Sequence, residues 1–526
     1  MIASLGQTNL VFAESESALA VIGVAGWGYK TYVGCLVLGT LTSLLLTPVI
    51  IKLAVLLDAV DEPGHRKAHG RSVPLLGGLA VFIGMWVPLL VLMMLDNLVT
   101  QQLWNRSAHI MVIFAAGVAM LILGAVDDLV AIRARYKLLV QIPVALAVWL
   151  ADVRFERLDL PVLGELDANL LGPIVSVVWL VGITNAFNLI DGIDGLATGV
   201  ALFVALTNGF IAVWTGTAVL AVLMFSMAGA CLGFLKYNFN PARVFLGDTG
   251  SLFLGMTLGI TSVATSAKSQ VASSFLIALV VLGYPALDTL LAMGQRLLRG
   301  KSPFIGDDSH IHHRLLQKGF GHRQSTLVLY AVCLLFCVAA VAIVIRKSAL
   351  TAFTFMVIGA LTAYGLWALG YFRMVANPSL RDDRNMYRAN FHFVEMIKAK
   401  IHFAKSRTDV LDLLRVVPQE LGFQRVRIVL SREQDELPHE SLCEELISAG
   451  NEPAEEGTAT VQHDLYKYPE SGLEVEAWIR DTTDSHDLVM ERRALLADAF
   501  ETASRRLVQI RNSGTGPLPA SNSARR

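Results

Sequence analysis

Eleven stretches of this chain are apolar over about the length that a lipid bilayer demands. A membrane-crossing helix needs roughly 20 predominantly apolar residues. Candidates lie at 31–57, 75–95, 108–126, 138–152, 170–190, 196–214, 218–235, 250–266, 271–293, 325–345 and 349–371. In lipid every backbone polar group must find its partner inside the protein, which favours helices. The expected fold class is therefore a polytopic α-helical membrane protein with about eleven transmembrane helices. Pro48, Pro88, Pro143 and Pro285 fall inside these runs. Membrane helices tolerate proline where neighbours satisfy the freed carbonyl.

Charge divides the chain. Only 17% of its 526 residues are charged, against about 25% in soluble domains. Forty of the charged residues crowd into 390–526, which holds 17 Lys/Arg and 23 Asp/Glu. The reading is an N-terminal segment 1–30, a membrane body 31–372, a polar connector 373–389, a soluble α+β domain 390–511 and a disordered tail 512–526. The opening "MIASLGQTNLVFAESESALA" has no basic region before an apolar core and does not read as a cleaved leader. The soluble domain is mildly acidic, so no nucleic-acid partner is expected. The five cysteines show no pairing or metal-binding spacing, and those inside apolar runs read as small packed residues.

Loops after odd-numbered spans carry 14 Lys/Arg, and the opposite set, with Lys30, carries 7. The positive-inside rule makes the first set, and the C-terminal domain, cytoplasmic. Every unusual polar cluster of the membrane body falls in those same loops. That distribution suits an active site at one membrane face.

The first cluster, "DEPGHRKAHGRSVPLLGG" (61–78), offers Lys67 and His69 among dense cations. It reads either as a topology signal facing anionic lipid or as a holder of a phosphate-rich ligand. The second, "LGAVDDLVAIRARYK" (123–137), places Asp127 and Asp128 side by side after a span. Adjacent carboxylates repel unless a cation stands between them, and Lys137 opens the next span. The third, "NAFNLIDGIDGLATG" (185–199), spaces Asn185, Asn188 and Asp191 one helical turn apart, followed by Asp194. Converging carbonyl and carboxylate oxygens suit a hard cation such as Mg²⁺. The fourth, "NFNPARVFLGDTGSLFLG" (238–255), sets Asp248 between glycines at a helix start, where Thr249 or Ser251 could act as cap. The fifth, "DDSHIHHRLLQKGFGHRQ" (307–324), gathers His310, His312, His313 and Arg314. Zinc is one reading of such a cluster. It lacks paired cysteines or a zinc-binding helix motif, and phosphate binding fits its cations better. Together the loops supply oxygen ligands and cationic donors, the equipment of phosphoryl transfer.

The motifs "RKAHGRSVPLLGG", "GAVDDL", "NAFNLIDGIDGLATG", "RVFLGDTGSLFLG" and "HIHHRLLQKG", in this order, resemble those of the polyprenyl-phosphate N-acetylhexosamine-1-phosphate transferases. That family includes bacterial undecaprenyl-phosphate GlcNAc-1-phosphate transferases, with phospho-MurNAc-pentapeptide transferase a more distant relative. The resemblance covers roughly 31–372. It implies an enzyme of the bacterial inner (cytoplasmic) membrane, with its active site on the cytoplasmic side. The enzyme would transfer a sugar-1-phosphate from a UDP-amino sugar to undecaprenyl phosphate, release UMP and start a cell-surface glycan. The implied cofactor is Mg²⁺, with Mn²⁺ as the alternative, on Asn188 and Asp248. Asp127 and Asp128 would lie against the lipid phosphate, with Lys137 in contact with it, and Asp191 and Asp194 would organise the nucleotide side. His310, His312, His313 and Arg314 would hold the pyrophosphate or sugar, with Lys67, His69 and Asn185 as further substrate contacts. "HIHH" resembles the GlcNAc branch.

The soluble domain reads as helix 390–405, helix 408–421, strand 424–431, helix 438–449, strands 458–465 and 473–480, and helix 486–511. That order is weakly similar to a GAF-type domain. The domain reads either as a structural or partner-binding appendage or as a unit for regulation or docking of a later glycosyltransferase. Two other classes compete. An ion-coupled transporter with a regulatory domain would place its polar residues near mid-bilayer in matched repeats; here they gather at one face and no repeat is visible. A membrane-anchored sensor would need far fewer spans.

Overall fold

The computed structural model describes residues 5–61, 72–95, 98–155, 158–160, 164–166, 168–267, 274–298, 310–345, 348–369, 371, 380–421, 425–430, 442–446, 461–468, 473–480 and 486–513. The loop bearing Lys67 and His69, the last residues of the chain and the first part of the expected connector, 373–379, lie outside the described residues. The chain forms two compact units, one helical and reaching to Arg373, the other taking in Met374–Arg526.

The helical unit begins with α1 (Leu5–Leu56), β1 (Val60–Asp61), β2 (Val73–Pro74), α2 (Gly78–Met93), α3 (Leu98–Asn105), α4 (Ser107–Val130) and α5 (Ala134–Leu150). A small hairpin, β3 (Leu158–Leu160) and β4 (Gly164–Leu166), precedes α6 (Ala168–Ile190), α7 (Leu196–Trp214), α8 (Ala218–Asn238) and α9 (Gly247–Ala267). Then come α10 (Ser274–Val281), α11 (Gly283–Leu298), α12 (Ile311–Gln317), α13 (His322–Val344) and α14 (Ser348–Ala368). Among the described residues six helices are long and apolar enough to cross a membrane: Tyr29–Leu56 of α1, α4, Leu171–Ile190 of α6, α7, α8 and α13. The other expected spans fall on α2, α5, α9, the α10–α11 pair and α14. This is a polytopic helical membrane protein.

α9 is the hub. Leu252, Phe253, Leu254, Met256, Leu258 and Ile260 are all fully buried, so the helix has no solvent or lipid face and must sit inside the bundle. Missing side chains let its neighbours close on it. A methyl group on Gly124 of α4 would overlap the Asp248 carbonyl, and one on Gly78 of α2 would overlap the Gly250 backbone. On Gly255 of α9 it would crowd Thr184 of α6. Small residues at such crossings are how membrane helices approach closely. The start of α9 is therefore fixed beside the ends of α4 and α6. Backbone pairing holds the approach: Phe245 N donates to Pro74 O (2.9 Å), and Gly78 N to Leu246 O (3.0 Å).

The second unit contains α15 (Leu380–Phe403), α16 (Arg407–Glu420), β5 (Arg425–Leu430), β6 (Leu442–Leu446), β7 (Val461–Tyr468), β8 (Leu473–Arg480) and α17 (His486–Ser513). The strands form one antiparallel sheet in the order β6-β5-β8-β7. Val394, Ile397 and Ile401 of α15, Val410, Leu414 and Val417 of α16, and Leu496, Phe500 and Ala503 of α17 recur at three- and four-residue spacing and pack with Leu473 and Val475 of β8. Two expectations change. Leu442–Leu446 is a strand rather than part of a helix 438–449: its backbone pairs with β5, from Leu442↔Leu430 to Leu446↔Val426. Pairing in the sheet overrides the weak local helix preference of "LCEEL". The helix expected from 390 begins at Leu380 and takes in ten residues assigned to the connector.

Candidate active site

The ends of α4 and α6 and the starts of α5 and α9 meet at one end of the bundle, each carrying a polar residue. Asp127 and Asp128 occupy the last turn of α4. Adjacent in sequence, they turn to different partners. Asp128 accepts from Asp248 N (2.8 Å), Thr249 N (3.1 Å) and Thr249 Oγ1 (2.6 Å). It thus caps α9 from a different helix and stands at the positive end of that helix dipole. Gly247 takes φ +73° there, and a methyl on it would meet Asp128 Oδ2. Asp127 pairs instead with the Lys137 ammonium, and its other oxygen accepts from Ile132 N (2.5 Å). Each acid has its own positive partner, so the repulsion expected of neighbours is relieved.

Lys137, on the first turn of α5, also reaches Asp248 Oδ2 (2.5 Å). Asn188 of α6 donates to Asp248 Oδ1 (2.7 Å) and to Ser251 Oγ (3.1 Å). Asp127, Lys137, Asp248 and Asn188 thus form one connected group from four helices. Asn185, one turn earlier, donates through Nδ2 to Gln141 Oε1 of α5 (2.7 Å) and to the Val181 carbonyl of its own helix (2.8 Å). The buried Gln141 gave no sequence signal beyond a lone amide in an apolar run.

Asp191 lies just past α6. No hydrogen bond from a described residue reaches it. Burial, followed by the charges of Asp248, Asp128 and Asp194, pushes its carboxyl well above the usual carboxylate range. Asp194 is engaged differently: it accepts from Asn240 Nδ2 and Ala242 N, both at 2.9 Å. It ties the 239–246 loop that leads into α9. Gly195, at φ +75°, closes the turn into α7.

The histidine segment comes to the same place through His312. A methyl on Gly192 would lie 2.6 Å from His312 Nε2, so this ring rests against the Asp191–Gly195 turn. His312 is 1% exposed, and among the described residues neither ring nitrogen has a hydrogen-bond partner. Burial, with His313 close by, holds its pKa down to about 3. The His313 ring centroid lies 4.3 Å from that of His312. Arg314 is used within the fold: its guanidinium donates to Leu369 O (3.0 Å) and Gln295 Oε1 (2.6 Å) and lies over the Tyr371 ring (4.2 Å). His310 leans on Asp288, with Nδ1 2.8 Å from Oδ2. Asp288 was not among the expected site residues. Its signal was a single carboxylate inside an apolar run, which is costly and marks function in membrane helices.

Among the described residues no three His, Cys, Asp or Glu side chains gather as a preformed metal cage. The donor set still fits a hard cation. Lys137 stands between the Asp127 and Asp248 carboxylates, Asp128 accepts from the Asp248 backbone, and the charges of Asp248, Asp128 and Asp194 act on Asp191. Mg²⁺ in particular takes one or two carboxylates and completes its shell with water and phosphate oxygens.

The pattern that defines glycosyl transferase family 4 matches residues 110–266, the stretch from α4 to α9. The chain is 35% identical over 306 residues to a probable undecaprenyl-phosphate N-acetylglucosaminyl 1-phosphate transferase of Bacillus subtilis, covering 58% of this chain and 83% of that protein. The chain belongs to this family. Further members are similar to it. An undecaprenyl-phosphate alpha-N-acetylglucosaminyl 1-phosphate transferase of Thermotoga maritima is 31% identical, over 56% of this chain and 85% of its own. A phospho-N-acetylmuramoyl-pentapeptide-transferase of Moorella thermoacetica is 33% identical, over 58% and 96%. The five motifs thus pointed to the family to which the chain belongs, and the family match spans Asp127, Lys137, Asn188 and Asp248.

Proposed function

We propose that this protein transfers N-acetylglucosamine-1-phosphate from UDP-GlcNAc to a polyprenyl phosphate, undecaprenyl phosphate in bacteria, and releases UMP. The observation that carries the reading is the group Asp127–Lys137–Asp248–Asn188, in which one ammonium and one amide are aimed at a carboxylate where four helix ends meet. An oxygen of the lipid phosphate attacks the β-phosphorus. The bond from that phosphorus to the oxygen bridging to the α-phosphate breaks, and UMP leaves with the electron pair. The phosphate monoester has its second pKa at about 6, so at neutral pH most of it needs no base. Asp127 is then an orienting group for Lys137, whose ammonium meets the lipid phosphate. Asp248 and Asn188 would hold Mg²⁺, which would supply charge neutralisation to the pyrophosphate, and Asp191 would organise the nucleotide side. Asp128 and Asp194 keep the start of α9 and its loop in place, and His310, His312 and His313 face the sugar–phosphate side. Eleven spans with basic loops inward would put this site on the cytoplasmic face of the inner membrane, where the product begins a cell-surface glycan. The second unit, a four-stranded antiparallel sheet with helices, would regulate the enzyme or dock a later glycosyltransferase.

The test is UMP release by purified protein given undecaprenyl phosphate, UDP-GlcNAc and Mg²⁺. Release should require lipid and metal and should vanish in Asp248→Ala. Silence with every UDP-amino sugar, from folded protein, would sink the reading.

A further inference from the structure

α11 owes its position to a break. Leu282 separates α10 from α11, and Pro285 follows three residues on. Proline has no N–H to give to the carbonyl one turn back, so the helix is interrupted there. The new helix carries Asp288, which is 1% exposed. Both its oxygens are directed at the start of the histidine segment. Oδ1 accepts from Ile311 N (2.7 Å), and Oδ2 lies 2.8 Å from His310 Nδ1.

The two contacts do different work. The first caps α12, whose own N-cap residue, His310, makes no side-chain cap hydrogen bond. The second decides imidazole chemistry. A carboxylate beside Nδ1 keeps a proton on that nitrogen, which leaves Nε2 as acceptor in the neutral ring and as second donor in the cation. The His310 ring stacks on His312, with centroids 5.7 Å apart and planes 16° from parallel. His312 in turn rests on Gly192, next to Asp191. A chain of contacts thus runs from a buried carboxylate to the acid cluster.

We infer that Asp288 is a positioning residue of the transferase, fixing the tautomer and orientation of His310 through Oδ2 without touching substrate. The inference rests on the transferase reading. Asp288→Asn separates its two roles. The amide oxygen still accepts from Ile311 N, and asparagine caps helices about as well as aspartate. The amide nitrogen, however, donates to His310 Nδ1 and moves the proton to Nε2.

The experiment measures kcat and KM for UDP-GlcNAc, and the melting temperature, on the full chain as wild type, Asp288→Asn, Asp288→Ala and His310→Gln. The expected result is Asp288→Asn melting within about 2 °C of wild type while kcat/KM falls about tenfold or more, by analogy with the losses on removing the partners that orient metal-ligating histidines. Wild-type kcat/KM in Asp288→Asn beside a damaged Asp288→Ala would mean capping alone and overturn the inference. So would an Asp288→Asn protein that does not fold while His310→Gln does. Absence of UMP release from the wild type would instead remove the transferase reading and the inference with it.

Discussion

Asp127 and Asp128 show how far one position can separate two roles. Asp128 holds the first backbone N–H groups of α9, so Asp128→Ala should lower stability by about 1–2 kcal/mol, with Asp128→Asn recovering part of it. A wild-type melting temperature in Asp128→Ala would contradict the capping role. His312 gives a pH prediction. Its imidazole is held near pKa 3 in the fold and returns to about 6.5 on unfolding. The unfolded chain therefore binds the extra proton, and stability falls as pH drops below 6.5 towards 3. Between pH 6.5 and 5 the loss from this residue is about 2 kcal/mol. His312→Gln should flatten that part of the melting-temperature curve; an unchanged acid slope would show that the ring does not stay neutral in the fold. The polar residues at helix ends were legible in the sequence because their types and spacing carry the chemistry. Which neighbour each would face was not. In the fold Asp128 accepts from the α9 backbone and Arg314 donates to the Leu369 carbonyl, groups supplied by segments distant in the chain.

At the scale of elements, the crossing of α4 and α9 sets the site. Gly124 has no room for a methyl against the Asp248 carbonyl. Gly124→Ala should therefore push the two helices apart, cost about 1–3 kcal/mol as overpacking does, and cut UMP release more than a conservative change elsewhere on α4. Normal activity and normal melting in Gly124→Ala would mean that the contact is not needed. Helices were readable from the apolar runs, and α6, α7, α8 and α13 fall close to where the extent of those runs places them. The hub role of α9 was not readable, because a buried helix and a lipid-facing one carry similar apolar residues. The strand at Leu442–Leu446 was missed for a related reason: only its pairing with β5 makes it a strand.

At the scale of the whole molecule, the chain joins a family transferase to a second unit with its own core. The residues grouped around Asp248 all belong to the first unit. Protein cut after Arg373 should thus retain UMP release within about threefold if it melts like the full chain's helical unit, since that unit has its own packed interior. Complete loss in a folded truncation would make the second unit part of the catalytic apparatus. The central claim is that the sugar and its phosphate move together onto lipid. Its most direct measurement is the fate of label from UDP-GlcNAc carrying ³²P in the β-phosphate and ³H in the sugar, incubated with the protein, undecaprenyl phosphate and Mg²⁺. The account predicts both labels in the lipid fraction in equal molar amount, with unlabelled UMP in the water. Tritium in lipid with ³²P left in water would mean that the sugar moved without its phosphate, and would contradict it.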